Sequence, residues 1–315
     1  MKKISKKRRG ELTTQQIVGL IILITSFAVI LFFFLRLNLG EETDKELCRN
    51  SVVLKGSSIL PSDSTPLNCY RSYECLTEDG TCEGITNHEV EKVDNLDDVY
   101  QKLAEEMADC WWMFGEGKID YIETGLTKNN YCSICSQIFF DDSLKGIDKE
   151  IEKGLISKDK LYDYLAITKM PREDINYAEY FFGTNDIQKI KKESGVDTFG
   201  DIEIEKQYFV VMGITNEVST LKWASAGAVT TAGIIAVVSI FSGPPGWVIG
   251  AITLGSGAVV GATSGEEIAG AIEFEIGALV VQGRGINNQF MAPTIVEAES
   301  EKFKALNCEE IVTFT

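Results

Sequence analysis

Hydrophobic and polar positions change their period several times along the chain, and the first change is the largest. Positions 17 to 35 are apolar or small without a break. As a helix this run spans roughly 28 Å, close to the roughly 30 Å hydrocarbon core of a bilayer, so it predicts a transmembrane helix over 17–35. The stretch before it, 1–16, is a basic tail with Lys2, Lys3, Lys6, Lys7, Arg8 and Arg9; Glu41, Glu42 and Asp44 follow on the far side. The positive-inside rule then puts the tail in the cytoplasm and everything after Leu35 on the extracytoplasmic side. Thr13 and Gln16 have the spacing of a capping box that would open the helix.

Beyond the anchor, residues 41–92 are polar and dense in cysteine, with Pro61, Pro66, Asp79-Gly80 and Glu83-Gly84 as turn signals. Brief strands are expected over 51–54 and 69–75, making a β-type subregion tied by disulfides. From Asn95 the period becomes helical. Val99, Leu103, Met107, Cys110, Trp111 and Phe114 fall three and four apart, a stripe ending near Gly115-Glu116-Gly117. Trp111 and Phe114 lie on that stripe, so the Trp-Trp-Met-Phe run reads as core packing rather than a ligand platform.

A strand is expected over 131–140 and helices over 158–168 and 172–182, the second opening after Pro171 and closing at Gly183. Ile202 to Glu205 alternates and 208–212 is continuously apolar, both strand signatures. Residues 290–296 contain Pro293 and read as a strand at a sheet edge, and a short helix over 299–306 leads to Cys308. Together 93–222 and 266–315 predict an α+β ectodomain whose strands come from distant parts of the chain.

Between them, 223–265 is uncharged and broken by Ser242-Gly243-Pro244-Pro245-Gly246. The two arms predict a helical hairpin. Ala224, Ala228, Ala232 and Ala236 recur every four residues in the first arm; Gly246, Gly250, Gly257, Gly261 and Gly265 give the second a glycine-zipper spacing. Each glycine costs a helix about 0.5–1 kcal/mol relative to alanine, which close helix approach in lipid would offset. Two membrane crossings, or none, keep Cys308 on the same side as the other cysteines; the alternatives are a hairpin crossing the membrane twice, one buried in the ectodomain, or one that inserts only after a trigger. Glu266, Glu267, Glu273 and Glu275 beyond it read as a solvated face.

Charge narrows the partners. The chain has 47 acidic and 30 basic residues, a net charge of −17. Removing the seven basic and one acidic residues of 1–36 leaves −23 beyond the anchor. Nucleic acid, which needs a concentrated basic surface, is not an expected partner. The expected partners are the lipid bilayer and further copies of the chain or other envelope proteins.

All eight cysteines, Cys48, Cys69, Cys75, Cys82, Cys110, Cys132, Cys135 and Cys308, lie beyond the anchor, as expected of up to four disulfides in an oxidising compartment. Proximity groups Cys48 with Cys69, Cys75 and Cys82, leaving the other four to staple the larger domain. Cys132-Ser133-Ile134-Cys135 has the thiol-exchange spacing, but such a site needs a positive neighbour such as a helix amino end, and a strand is expected here. His88 is the only histidine and reads as a surface residue, so no histidine-based metal set is expected. No GxxxxGK[ST] loop occurs, Gly283-Arg284-Gly285 lacks a strand-then-helix context, and no Asn-x-Ser/Thr sequon is present. No catalytic residue or cofactor is expected.

Two resemblances follow from these motifs. The basic run, Gly10-Glu11, the polar Thr13-Thr14-Gln15-Gln16 and the apolar helix resemble the prepilin-like, class III signals of type IV pilins and archaeal surface filaments. That likeness covers residues 1–35 and implies cleavage after Gly10, with the helix kept as an assembly core; Gln15 stands where those pilins usually carry glutamate. Over most of its length the chain also resembles uncharacterised archaeal membrane-anchored surface proteins. The shared features are the Gly10 to Gln16 start, the Asp-Cys-Trp-Trp helix at Asp109 to Trp112, the Cys-x-x-Cys strand and the glycine-rich apolar insert. This implies a cell-envelope location and carries no activity. The sequence therefore reads as a membrane-anchored envelope protein with a disulfide-bonded ectodomain. The alternatives are a pilin-like filament subunit and an extracytoplasmic thiol-disulfide oxidoreductase.

Overall fold

The computed structural model describes residues 14–36, 39–57, 66–82, 88–122, 130–149, 151, 153–171, 173–194, 198–215, 233–237, 248–255, 274–284, 286, 288–304, 306 and 308–314. The chain divides into two compact units, Met1–Thr43 and Asp44–Thr315. The first contains helix α1, Thr14–Arg36, whose described side chains run from Ile17 to Phe32 and are all exposed. Among the described residues no helix is long and apolar enough to cross a membrane.

The second unit is α+β, with helix α2, Leu39–Ser57, leading into it. A strand was expected over 51–54; α2 corrects this. Val52 is buried and Val53 and Leu54 are exposed, while Cys48, Ser51 and Val52 share one buried face at the three- and four-residue spacing of a helix. Three adjacent apolar residues are too few to fix a strand against that stripe.

Strands β1, Ser72–Thr77, and β2, Glu89–Lys92, are followed by helix α3, Leu96–Met113, and strand β3, Asn130–Phe140. β4 is Leu155–Ser157, and α4, α5 and α6 are Lys158–Ile167, Tyr177–Phe182 and Ile187–Ser194. Then come β5, Asp201–Glu203, β6, Gln207–Thr215, β7, Gly233–Val237, β8, Val248–Gly255, β9, Phe274–Gln282, and β10, Gln289–Glu297. Helix α7, Glu301–Lys304, and β11, Glu310–Ile311, complete the elements. β4 and β5 form a two-stranded sheet, and the other nine strands form one mixed sheet in the order β2-β1-β3-β6-β10-β9-β8-β7, with β11 also pairing with β3.

α3 is built as its sequence requires. The Asn95 side chain accepts from the Asp98 amide at 3.0 Å, capping a free donor, and Asp97 and Asp98 complement the positive helix end. Val99, Leu103, Met107, Cys110, Trp111 and Phe114 are all buried. The helix stops at three successive positive-φ residues, Gly115, Glu116 and Gly117. A Cβ on Gly115 would lie 2.6 Å from the Ile119 side chain, so both φ and space require glycine there. Trp111 packs edge-on against Phe290 of β10, with ring centroids 5.9 Å apart, and α4 and α5 extend the same core.

The opposite face of the sheet has its own core. Cys132, Ile134, Phe209, Val211, Met291 and Leu306 cluster there, and Phe303 of α7 meets Phe209 edge-on at 5.1 Å. β3 is thus buried on both faces, with apolar side chains on each and Asn130, Ser133 and Ser136 buried among them.

Two boundaries differ from expectation. α5 begins at Tyr177 rather than after Pro171: Asn176 and Glu179 form a capping box that opens the helix five residues later. Gly183, at φ 73°, closes it as expected. β10 lies inside the sheet, between β6 and β9, rather than at an edge, and Pro293 falls where the β6 register shifts between Met291 and Thr294. A bulge tolerates a residue without an N–H as well as an edge does.

The helical hairpin expected over 223–265 is corrected where that stretch is described. β7 and β8 are antiparallel strands, and β9 continues the meander into β10. Three of the five residues in β7 and four of the eight in β8 are β-branched, which favours pleated backbone, and glycine weakens any helical alternative. Ala236 lies in β7, and Gly250 lies in β8 at a register shift against β9; Ala224, Ala228, Ala232, Gly246, Gly257, Gly261 and Gly265 lie outside the described residues. Ala236 is directly opposite Ile252, and Val237 opposite Ala251. Cysteines placed at Ala236 and Ile252 should therefore crosslink on mild oxidation, while Ala236 with Ala251, on opposite faces, should not. Equal crosslinking of the two pairs would contradict the strand assignment.

Candidate functional site

The eight cysteines form four disulfides, Cys48–Cys69, Cys75–Cys82, Cys110–Cys135 and Cys132–Cys308. Both sets of four expected from proximity pair internally. The Cys-x-x-Cys pair does not bond to itself. Side chains alternate along a strand, so an interval of three sends Cys132 and Cys135 to opposite faces. Cys135 reaches down to Cys110 on α3, in the helix-side core; Cys132 reaches Cys308 on the other side. Cys132 and Cys135 are buried and bonded to different partners, so they do not form the exchange pair that the motif suggested.

Cys82 and Cys308 are the half-exposed cysteines; the other six are buried. Among the described residues, Cys75, Cys82 and His88 bring metal-ligand atom types together, all within 4.8 Å of one another. With the two sulfurs joined, neither is available as a thiolate ligand. His88, read from sequence as a surface residue, is half-buried, and both its ring nitrogens are shielded from solvent with no hydrogen-bond partner among the described residues.

A buried ionic cluster joins β1 and β2 to α3. Glu74 and Leu76 of β1 face the helix while Cys75 points the other way, and Glu74 and Glu106 are each only 3% exposed. The Lys102 ammonium lies 3.2 Å from Glu74, 3.2 Å from Glu91 and 3.5 Å from Glu106. It touches Glu74 by charge rather than by an aligned hydrogen bond. Burial, and then the Glu106 charge, push the Glu74 carboxyl up to about 9, outweighing the pull of Lys102 in the other direction. Burial alone would lower Lys102, but the carboxylates of Glu106, Glu74 and Glu91 hold it above the ordinary lysine range. At neutral pH Glu74 therefore keeps its proton and can act as a donor. The sequence signal for this site was the Lys102–Glu106 pair, four residues apart beside the apolar stripe; nothing local to Glu74 pointed to it.

A second buried titratable group is Lys158, which donates to the Ile295 carbonyl of β10. Burial, reinforced by the nearby positive charge of Lys302, lowers its amine to about 7. On the surface, an open groove of about 480 Å³ is lined by Tyr100, Tyr164 and Ile167 with Asp97, Asp148 and Asp163 among its rim residues. Neither Glu74 nor Lys158 lines it.

The remaining motifs have structural places. Trp112 lies under the Arg49 guanidinium, 4.5 Å from the ring centre, and Arg49 also donates to the Trp112 carbonyl. Gly283 and Arg284 follow β9 in the turn to β10; Arg284 donates its amide to the Gly117 carbonyl at 2.7 Å and its guanidinium to the Tyr180 carbonyl at 3.0 Å. That is a strand connection, with no phosphate-binding helix after it. Glu275 lies in β9, whereas Glu266, Glu267 and Glu273 lie outside the described residues. Comparison with family models, curated proteins and solved structures finds no match to the chain.

The Glu74 shift carries a pH prediction. Its folded value lies above the unfolded one near 4.5, so between about pH 5 and 9 the folded state holds a proton that the unfolded state has lost, and this group's contribution to stability falls as pH rises. Lys158 has the opposite sign above about pH 7, since its folded value is depressed. Comparing variants separates the two. Glu74→Gln should be more stable than wild type at pH 8 by about 1.4 kcal/mol or more, the value of one pKa unit, because Lys102 keeps Glu106 and Glu91 as partners. Urea unfolding should show that gap closing near pH 5; a pH-independent gap would refute the assignment.

Proposed function

We propose that the chain is a membrane-anchored cell-envelope protein whose N-terminal helix holds a disulfide-bonded domain on the extracytoplasmic side. The contrast between the two units supports this most. α1 is apolar or small at every described side chain from Ile17 to Phe32, and all of them are exposed. Such a surface is rare on a soluble monomer, and lipid is the solvent that accepts it. The described side chains span about 24 Å, short of a bilayer core, whereas the whole 23-residue backbone spans about 34 Å and the apolar sequence continues to Leu35. Beyond it, every cysteine is paired, as an oxidising compartment favours, and the basic tail before the helix sets the orientation.

The role we assign is display and assembly at the envelope, with the bilayer, further copies of the chain or other envelope proteins as partners. The archaeal surface family that the anchor and the Asp109 to Trp112 motif resemble has the same plan.

Full-length protein should remain with membranes washed in alkaline carbonate, and removal of residues 1–43 should release a soluble, disulfide-bonded remainder. Extraction of the full chain by carbonate would contradict an anchor. A mature N-terminus at Glu11 would instead assign the chain to the pilin-like class.

A further inference from the structure

We infer that Cys75–Cys82, with His88 beside it, is a thiol-disulfide exchange site for a dithiol partner, an activity that goes beyond the anchoring role and does not depend on it. Three independent observations converge on this bond. The first is its place in the packing. Cys48, Cys69, Cys110 and Cys135 belong to the helix-side core, and Cys132 and Cys308 to the core on the other face; Cys75 and Cys82 belong to neither. Their bond therefore ties neither hydrophobic cluster together.

The second is loop size. The four bonds close sequence separations of 21, 7, 25 and 176 residues, and a disulfide constrains the unfolded chain less as its loop shortens. Cys75–Cys82 closes the smallest loop, through the turn at Asp79 and Gly80, where the Asp79 carboxylate already accepts from Thr77, from the Thr81 amide and from the Thr81 hydroxyl. The turn therefore has bonds of its own that survive reduction.

The third is the histidine. The only imidazole of the chain lies within 4.8 Å of both sulfurs, with its two nitrogens shielded from solvent and unpaired among the described residues. Buried polar atoms left unpaired are costly and call for an explanation. Proton transfer to a departing sulfur is a use for them.

The half-exposed Cys82 is the sulfur that an external thiolate reaches. Attack there forms a mixed disulfide between Cys82 and the partner, and the breaking S–S bond sends its electron pair to Cys75 Sγ, in the buried position. The His88 imidazole, within 4.8 Å of that sulfur, passes it a proton and is reprotonated from water. The partner's second thiol, as thiolate, then attacks its own sulfur in the mixed disulfide, releasing Cys82 as the thiolate, which takes a proton from water. The partner leaves as a disulfide, having supplied two electrons, and the site is left as two thiols. Run in reverse, the two thiols of the site reduce a disulfide.

The test uses the full-length oxidised protein, limiting dithiothreitol as the dithiol, an alkylating quench and peptide mapping. Cys75 and Cys82 should be alkylated together before any other cysteine, with the near-ultraviolet circular dichroism of the domain retained. His88→Gln should slow this step by about a hundredfold, the lower end of general-acid effects. A double Cys75→Ser, Cys82→Ser variant should lose the fast step and keep the fold. Earlier opening of any other pair, or an unchanged rate in His88→Gln, overturns the assignment.

Discussion

The two-residue period of β3 is the constraint on which the rest of this domain depends. A strand buried on both faces must supply packing in both directions, and here it also supplies a covalent link in each: Cys135 to α3 on one side, Cys132 to the C-terminal segment on the other. An interval of three produces this wherever the alternation is unbroken, because regular pleating puts positions i and i+3 on opposite faces. The register shift between Ile134 and Ser136 against β6 then lets Ile138 and Phe140 return to the helix-side core with Cys135.

Everything else can be placed relative to that strand. β1 and β11 lie end to end along one side of it, and β6 along the other. α3 covers the first face through Val99, Leu103, Met107 and Trp111, whose burial supplies roughly 1.5–3 kcal/mol per large side chain. Glu74 is the cost of joining the β1 edge to the same helix: three carboxylates surround one ammonium in a place too dry for all of them to ionise comfortably. On the second face a smaller core is closed by Phe303, Leu306 and the Cys132–Cys308 bond. The β7 to β9 meander leaves this frame at the end of β6 and returns to it at β10, so it extends the sheet without interrupting its centre.

Much of this was legible in the sequence because burial on one face imposes a period. The α3 stripe, β3, β6 and α4 were all readable, and so was the meeting of distant strands in one sheet. What the period cannot resolve was misread. Residues 51–54 look like a strand in isolation, and only the placement of Cys48 and Val52 on one buried face shows a helix. The run over 223–265 has no charged positions to mark a period, so its alanine and glycine spacing suggested helices where the described residues are strands. For the site, the strand expectation over 131–140 already contained the answer to the Cys-x-x-Cys motif, since a strand separates those two sulfurs. Glu74 and His88 were not legible, because their environments are made by residues far along the chain or by a turn.

Mapping the cystine peptides of the unreduced protein tests the two-faced role of β3 most directly. A cleavage between Cys132 and Cys135, for example after introducing a methionine at Ile134 for cyanogen bromide, separates the two half-cystines. The account predicts that the fragment containing Cys135 stays joined to the Cys110 peptide and the fragment containing Cys132 to the Cys308 peptide. Cys132 joined to Cys135, or either one recovered as a free thiol, would contradict it.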